Sequence, residues 1–267
     1  MRIAAGRPGG VQIAYDVLGT GAPVVMLHDF GESSGFWHEF GYVEGCLAHG
    51  RRVVLIDLRG HGCSAKPVAA SAYEPVQYSR DVVAVLDDAG MERADILGYG
   101  LGGRIALHLA GLAPERVRSV AAGGAHPFAE RLDLMRDALE RGVEHWVKLM
   151  EAQAGGLSLS RYNRLRANNP IALRAAVAQD YPDFADTLAG CGVPLLLFLG
   201  VRDPRYPLSL SFAEESSARV FGLAGQDHLS AARAGLDLLP GILAFLEQPE
   251  MCPAKRPRIG LWSGCWP

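Results

Sequence analysis

Short apolar runs alternate with segments of helical periodicity through the first half of the chain. The apolar runs have the length of β-strands and fall at residues 24–28, 53–58, 95–98 and 117–121, and residues 11–18 alternate as an edge strand does. Residues 76–88 instead place valines and a leucine at helical spacing. This alternation predicts an α/β fold with a mostly parallel central sheet flanked by helices, whose ligands bind beyond the carboxyl ends of the strands.

The pattern changes between residues 127 and 190, where strand-like runs stop. Helical stretches at 129–141, 143–154 and 171–179 are separated by glycine, asparagine and proline. Apolar runs resume at 194–200 and 218–223, and a last helix is predicted over 231–247. We therefore expect a core built from residues 1–126 and 191–248, with residues 127–190 inserted as a small helical cap over the site.

The segment 249–267 has a different composition, rich in proline and basic residues and followed by two tryptophans. Such a segment is predicted to be a flexible tail. Two of the five cysteines, Cys252 and Cys265, lie in this tail, where free thiols and an oxidised bridge both remain open. The cysteine spacings match neither a disulfide framework nor a metal site, so no metal is expected.

Net charge and hydrophobic content argue against nucleic acid and membranes as partners. The formal net charge of −3 gives no electrostatic reason to expect nucleic acid, and 49% hydrophobic residues are ample for a substantial core. No apolar run approaches the roughly 20 residues needed to cross a bilayer. The opening residues lack the apolar stretch of a secretion signal. A cytoplasmic protein that binds a small molecule and does not associate with membranes is the expectation, with its oligomeric state left open.

The turn at Gly100 carries the strongest functional signal. Residues 95–113 read as a strand, a glycine-rich corner and a helix, which is the context of the G-x-S-x-G nucleophile elbow. Here the motif is Gly-Tyr-Gly-Leu-Gly over residues 98–102, so Gly100 stands in the serine position and offers no hydroxyl. Any chemistry must proceed without that nucleophile.

The same residues also spell the G-x-G-x-x-G dinucleotide fingerprint, from Gly98 to Gly103. That motif requires an acidic residue about 20 positions later, at the end of the next strand. The strand at 117–121 runs instead into Ala-Gly-Gly-Ala-His and offers no acid. A nicotinamide site is therefore disfavoured, and no cofactor is predicted.

Taken together, these landmarks resemble the α/β-hydrolase family, and in particular small capped serine hydrolases of the esterase, lactonase and C–C hydrolase type. The resemblance covers roughly residues 10–248. It rests on six fragments in order: the His-Asp-Phe-Gly loop at 28–31, residues 57–64 with Pro67, the elbow, the Pro-Glu-Arg-Val run at 114–117, an acid after Gly200, and Gly-Gln-Asp-His at 225–228.

The resemblance implies a role for each matching position. Asp203 corresponds to the triad acid and His228 to the triad histidine, although Asp227 beside it is an alternative partner. The backbone amides of Phe30 and Leu101 correspond to the oxyanion hole, which survives the loss of a side chain at residue 100. The family commonly has glycine before Phe30, whereas this chain has Asp29, a carboxylate beside the expected hole.

The expected cap supplies candidates for substrate contact. Trp146, Met150 and Tyr162 are predicted to line a mainly apolar pocket together with Asp29 and Tyr99, although helical spacing is equally typical of packing residues. Such a lining suits a small molecule with one carbonyl group. An ester, a lactone or a related compound is the expected substrate class.

Four explanations of the serine-less elbow remain at this stage. The expected pair of Asp203 and His228 could activate water or a substrate proton, which favours an enzyme because a binding module needs no oriented imidazole. The chain could instead be an inactive binding or scaffold protein of the same fold, a reading that Asp29 supports. It could be an engineered Ser-to-Gly form of an ordinary hydrolase, or another side chain, such as that of Cys63, could replace the nucleophile.

Overall fold

The computed structural model describes residues 1–5, 10–248 and 259–261. Within these residues the predicted sheet is confirmed, seven of its strands lie close to the predicted runs, and the first and the last were not expected. The strands are β1 (Arg2–Ala5), β2 (Gln12–Leu18), β3 (Pro23–Leu27), β4 (Arg52–Ile56), β5 (Ala94–Tyr99), β6 (Val117–Gly123), β7 (Leu195–Gly200), β8 (Arg219–Leu223) and β9 (Ile259–Leu261).

The strands form one sheet in the order β1-β2-β4-β3-β5-β6-β7-β8-β9 among the residues described. β1 pairs antiparallel with β2, and β2 antiparallel with β4, while the other neighbouring strands run parallel. The order reverses where β3 sits between β4 and β5, as in a doubly wound sheet. Most of the segment predicted as a flexible tail lies outside the described residues, and β9 is the described part of it.

Helices cover both faces of the sheet. They are α1 (Gly35–Glu39), α2 (Tyr42–Ala48), α3 (Pro75–Asp88), α4 (Leu101–Leu112), α5 (Asp133–Glu140), α6 (Val143–Ala154), α7 (Leu159–Arg166), α8 (Pro170–Ala176), α9 (Ala185–Ala189), α10 (Tyr206–Glu215), α11 (His228–Arg233) and α12 (Gly235–Glu247). Alternate residues of the strands enter two apolar clusters: Ile96 packs with α3 and α4, and Leu97 packs with α2 and α12. The sheet is therefore buried on both sides.

Three helical predictions needed correction. The single helix expected over residues 231–247 is two helices, α11 and α12, because the chain turns at Ala234 where Gly235 passes against the carbonyl of Phe40. The helix expected at 129–141 begins only at Asp133. The helix expected at 171–179 ends at Ala176. Helices α7 and α9 lie in the inserted segment and were not expected.

Four loops bring the candidate residues to one edge of the sheet. They follow the carboxyl ends of β3, β5, β7 and β8, which carry Asp29, Gly100, Asp203 and His228 respectively. Helices α5 to α9 lie between β6 and β7 in the chain. In the part of the chain that the structure describes, none of the helices is both long enough and apolar enough to span a membrane.

Candidate active site

The elbow at Gly100 is a sharp, left-handed turn between β5 and α4. Gly100 has φ +51° and ψ −115°, and its amide donates a hydrogen bond of 2.8 Å to the carbonyl of Gly123. Its own carbonyl accepts the amide of Arg104 at 3.0 Å, which begins the helix. The backbone therefore turns sharply in a conformation that glycine adopts without strain, and the residue has no side chain to present.

Asp203 and His228 lie in contact at the ends of β7 and β8. The Nδ1 atom of His228 donates to Oδ2 of Asp203 at 2.9 Å, and the Asp203 side chain is fully buried. The other oxygen of Asp203 accepts the backbone amide of Arg205 at 3.0 Å, so the carboxylate is fixed at both ends. This fixed carboxylate orients the imidazole.

The alternative partner, Asp227, has a different structural role. Its carboxylate accepts the amide of Ser230 at 2.8 Å, and the Ser230 hydroxyl accepts the amide of Asp227 at 2.8 Å. The two residues thus form a capping box at the start of α11. Asp227 sets the position from which the histidine projects, and Asp203 provides the carboxylate that contacts the ring.

The Asp29 side chain fills the place above Gly100. Its Oδ1 atom accepts the amide of Phe30 at 2.7 Å and the amide of Leu101 at 3.0 Å. Its Oδ2 atom lies 3.1 Å from Nε2 of His228. The two amides predicted to form an oxyanion hole do converge on one point, but an oxygen of the protein itself occupies that point.

This arrangement corrects one expectation. From the sequence, the backbone amides of Phe30 and Leu101 were expected to form an oxyanion hole for a substrate, with the Asp29 carboxylate beside it. In the structure the hole holds the carboxylate of Asp29, and both donors are engaged. A carbonyl oxygen can use these amides only if Asp29 leaves them.

The protonation states of His228 and Asp29 depend on each other. Burial by itself lowers the pKa of His228, but hydrogen bonds with Asp203 and Asp29 outweigh it and raise the pKa to about 9. Burial raises the pKa of Asp29, and the contacts with His228 and the two amides reverse this and bring the pKa to about 2. At neutral pH the site therefore holds an imidazolium between two carboxylates, with both ring nitrogens donating.

His28 holds the loop that carries Asp29 through two hydrogen bonds. The amide of Leu58 donates to Nε2 of His28 at 3.0 Å, so Nδ1 carries the proton and donates to the carbonyl of Asp29 at 2.7 Å. Burial lowers the pKa of His28, which favours this neutral form. A neutral imidazole thus fixes the backbone from which the Asp29 side chain projects.

Tyr99 lies beneath the histidine. Its hydroxyl donates to the carbonyl of His228 at 2.5 Å, its ring centroid is 5.1 Å from that of His228, and the side chain has no exposed surface. Tyr99 was expected to contact substrate, but in this conformation it has no surface to offer and instead supports the histidine.

The three expected pocket residues of the inserted segment differ in position. Trp146 is buried and packs edge to face on Phe30, with ring centroids 5.6 Å apart. Its indole lies so close to Gly31 that a side chain there would collide with it. Met150 and Tyr162 are partly buried against the same apolar cluster. Contact of these side chains with a substrate stays a prediction.

A buried ionic cluster beside the site was not foreseen. Glu32 accepts Arg161 Nε at 2.5 Å and Arg164 Nε at 3.1 Å, and Arg164 also pairs with Glu39 at 2.6 Å. The side chains of Glu32 and Arg161 are almost completely buried. This cluster joins α7 to the loop after β3. The sequence shows an acid at position 32, but only the structure shows that this acid is buried and that its partners lie about 130 residues later in the chain.

Comparison with known proteins gives the wider context. The family described as "alpha/beta hydrolase fold" matches residues 22–204. The 2-hydroxy-6-oxononadienedioate/2-hydroxy-6-oxononatrienedioate hydrolase 2 of Pseudomonas putida is 31% identical over 246 residues, which cover 80% of this chain and 85% of that protein. The 2-hydroxymuconate semialdehyde hydrolase of Pseudomonas sp. (strain CF600) is 40% identical over 133 residues, which cover 46% of this chain and 45% of that protein.

A solved structure shows the same architecture. The enol-lactonase from Burkholderia xenovorans LB400 superposes with a TM-score of 0.79 at 20% identity, over 92% of this chain and 100% of that one. At this level of identity the likeness shows the fold. The family match spans more than half of the chain, and the first relative aligns with most of it and is named as a hydrolase. The chain therefore belongs to the α/β-hydrolase fold family.

Proposed function

We propose that this protein is a hydrolase of a small organic molecule that works without a serine nucleophile. In this proposal the imidazolium of His228, held by Asp203, first gives a proton to the reacting group, and the neutral imidazole then activates water. One observation carries the proposal: the imidazole contacts a carboxylate through each ring nitrogen, at 2.9 and 3.1 Å, at the carboxyl ends of the central strands. An imidazole that is held in a fixed orientation can take up a proton and pass it on at a defined position in the site.

The residues that hold the histidine favour a catalytic role. Asp203 is buried with no exposed surface, and the Tyr99 hydroxyl fixes the histidine backbone. The imidazole itself keeps about a fifth of its side-chain surface exposed, and Asp29 keeps 15%. The reactive groups are thus rigid and still reachable by a small molecule.

The relatives support the same reaction class. Two curated proteins that match this chain carry names of hydrolases. Neither name fixes the substrate of this chain. Direct attack of water on an ester or lactone held in the oxyanion hole, as the sequence suggested, requires Asp29 to leave that hole first.

A non-catalytic binding protein is the second candidate, because the site is filled by its own carboxylate. The engineered Ser-to-Gly explanation is weakened by the fit between Asp29 and Gly100, since a side chain on residue 100 would collide with Asp29 Oδ1. An engineered replacement in an ordinary hydrolase would leave the position before Phe30 unchanged.

The test is a hydrolysis screen with matched variants. Wild type, His228→Ala and Asp203→Asn are assayed on short acyl esters, lactones and styrene oxide. We expect His228→Ala to abolish turnover and Asp203→Asn to reduce it by about 10²–10⁴-fold. Asp227→Asn is the control, since asparagine also caps a helix and the Asp227 carboxylate contacts Ser230 rather than the imidazole.

Circular dichroism and thermal unfolding of each variant establish that the fold is retained. Turnover that persists in His228→Ala contradicts the proposal. So does the absence of turnover by wild type on the whole panel, which favours the binding protein.

A further inference from the structure

The guanidinium of Arg205 lies between two carboxylates that belong to different parts of the fold. Its Nη1 atom is 3.5 Å from Oδ1 of Asp203, the carboxylate that holds His228 through its other oxygen. Its Nη2 atom donates to Oε1 of Glu130, which lies in the segment inserted between β6 and β7. A separation of 3.5 Å is at the outer limit of a hydrogen bond, so the closer contact is with the inserted segment.

The backbone fixes both ends of this contact. The amide of Glu130 donates to the carbonyl of Tyr181 at 3.1 Å, and the amide of Tyr181 donates to the carbonyl of Glu130 at 2.9 Å. Glu130 thus stands where the two ends of the inserted segment meet. The carbonyl of Arg205 accepts the amide of Ser209 at 3.0 Å, in the first turn of α10. The core therefore places the guanidinium, and the inserted segment places its partner.

The other ionisable groups near Glu130 do not replace Arg205. Nε2 of His126 lies 3.8 Å from Oε2 of Glu130, but burial lowers the pKa of His126 to about 4, so the ring is neutral at neutral pH. The guanidinium of Arg104 donates to backbone carbonyls, among them that of His126 at 2.7 Å. The Tyr181 hydroxyl stays protonated because burial raises its pKa. Among the described residues, Arg205 is therefore the charged partner of Glu130.

We propose that Arg205 is a positioning residue for the His228–Asp203 pair, and that Glu130 sets through it how readily His228 gives up its proton. This inference rests on the proposed function, in which the imidazolium first donates a proton and the neutral imidazole then activates water. It gives the inserted segment a part in the electrostatics of the reaction.

The imidazole of His228 responds to charges on several sides. Asp203 and Asp29 contact its ring nitrogens. Tyr99 packs beside the ring and is uncharged, because burial raises the pKa of its hydroxyl well above the ordinary value. Burial lowers the pKa of His228, the two carboxylates raise it, and the positive charge of Arg205 opposes the rise. A cation beside Asp203 thus weakens the hold of this carboxylate on the imidazolium.

Glu130 and Asp203 compete for one guanidinium. While Glu130 holds Nη2, the separation of 3.5 Å between Nη1 and Asp203 limits how far that carboxylate is neutralised. If Glu130 loses its charge, Asp203 is the carboxylate left beside the guanidinium, and Arg205 moves onto its Oδ1 atom. The pKa of His228 then falls, and the imidazolium releases its proton more readily.

The experiment is a double-mutant cycle on Glu130 and Arg205, with the pKa of His228 measured by NMR titration of the imidazole nitrogens. We expect Arg205→Gln to raise this pKa by at least about half a pH unit and Glu130→Gln to lower it by a similar amount. In the Arg205→Gln background, Glu130→Gln should change it by less than about 0.2, because Glu130 acts through the guanidinium.

Two further variants separate charge from structure. Arg205→Lys keeps a cation at this position and should bring the pKa of His228 back towards the wild-type value, a rescue that a purely structural role does not predict. Arg202→Gln removes an exposed cation from the same loop and should leave the pKa close to that of the wild type. Circular dichroism and thermal unfolding establish that each variant keeps its fold.

The outcomes separate this inference from the proposed function. An unchanged pKa of His228 in Arg205→Gln overturns the inference, and so does an equal effect of Glu130→Gln with and without Arg205. Both results leave the proposed function standing, because it needs only His228 and Asp203. For any substrate that the wild type hydrolyses, the alkaline limb of the pH–rate profile should move upward in Arg205→Gln with the pKa. Absence of turnover contradicts the proposed function, while the titration still decides the role of Arg205.

Discussion

A Cβ atom on Gly100 would collide with Oδ1 of Asp29, because the carboxylate lies directly over the elbow. The two residues are therefore compatible as a pair, and a serine placed at residue 100 would compete with Asp29 for the same space. Residue 100 also has φ +51°, a left-handed conformation that costs a residue with a side chain about 1–3 kcal/mol.

We predict that Gly100→Ser lowers the free energy of unfolding by about 1–3 kcal/mol and gives no labelling by a fluorophosphonate probe. The new side chain and Asp29 compete for the same space. The double variant Gly100→Ser with Asp29→Gly removes the collision and frees both amides of the hole. We expect only the double variant to be labelled, as followed by gel fluorescence.

Asp29→Gly alone is the matched control and should remain unlabelled, because it has no hydroxyl at the elbow. If the single variant Gly100→Ser were labelled as fast as the double variant, the Asp29 side chain would not hinder the new serine, which contradicts the prediction.

The titration of His228 gives a direct measure of its two carboxylate neighbours. We predict that its pKa, about 9 in the wild type, falls in Asp29→Asn and in Asp203→Asn, because each variant removes one hydrogen-bonded charge. The measurement is an NMR titration of the imidazole nitrogens. Asp227→Asn should leave the value close to that of the wild type, and a drop as large as that of Asp29→Asn would contradict the assignment of partners.

Stability should depend on alkaline pH through the same residue. The folded-state pKa of His228 is raised above its ordinary value of 6.5 to about 9, so the protonated form favours folding. This contribution is fully present below pH 6.5 and is lost as the pH rises through about 9. It amounts to on the order of 3 kcal/mol.

The measurement compares urea unfolding of the wild type and His228→Gln between pH 6 and pH 10. The advantage of the wild type should shrink across this range, because glutamine does not titrate. A difference that stays constant with pH would show that the imidazolium does not stabilise the folded state.

The buried pair of Glu32 and Arg161 fastens α7 to the loop after β3. We predict that Glu32→Gln lowers the free energy of unfolding by about 3–5 kcal/mol, because it leaves the charge of Arg161 buried without its partner. Glu144→Gln, in the exposed pair with Arg166, is the matched control and should change it by less than about 1 kcal/mol. Equal effects in urea unfolding would contradict the role of burial.

Strands β2 to β8 could be predicted because each is an apolar or alternating run of the right length, whereas β1 and β9 were not expected. β5 and β7 are buried along their whole length, and such runs are visible in the sequence without any knowledge of their neighbours. The elements that were missed lack this signal. Helix α7 reads Leu-Ser-Arg-Tyr-Asn-Arg-Leu-Arg and has no continuous apolar face. The Ser158 cap and the buried contact of Arg161 with Glu32 contribute to its stability, and neither is visible as a local apolar pattern.

The order of motifs along the chain located most of the candidate site. The structure brings Gly100, Asp203 and His228, which the resemblance singled out, to one edge of the sheet, and their catalytic roles stay a prediction. The amides of Phe30 and Leu101 both donate to Oδ1 of Asp29, and their use as an oxyanion hole stays a prediction. The position of the Asp29 side chain was not predictable, since a linear motif does not fix the rotation of a side chain.

The amino-acid sequence by itself determined the alternation of strands and helices and the absence of a hydroxyl at residue 100, because local periodicity and residue identity are properties of the chain. Only the tertiary structure decided which side chain occupies the space over that residue. Asp29 meets an amide 72 residues away and an imidazole 199 residues away. Such contacts arise when parallel strands bring their carboxyl ends together, and the resulting electrostatic field, rather than the local sequence, fixes the carboxylate in the site.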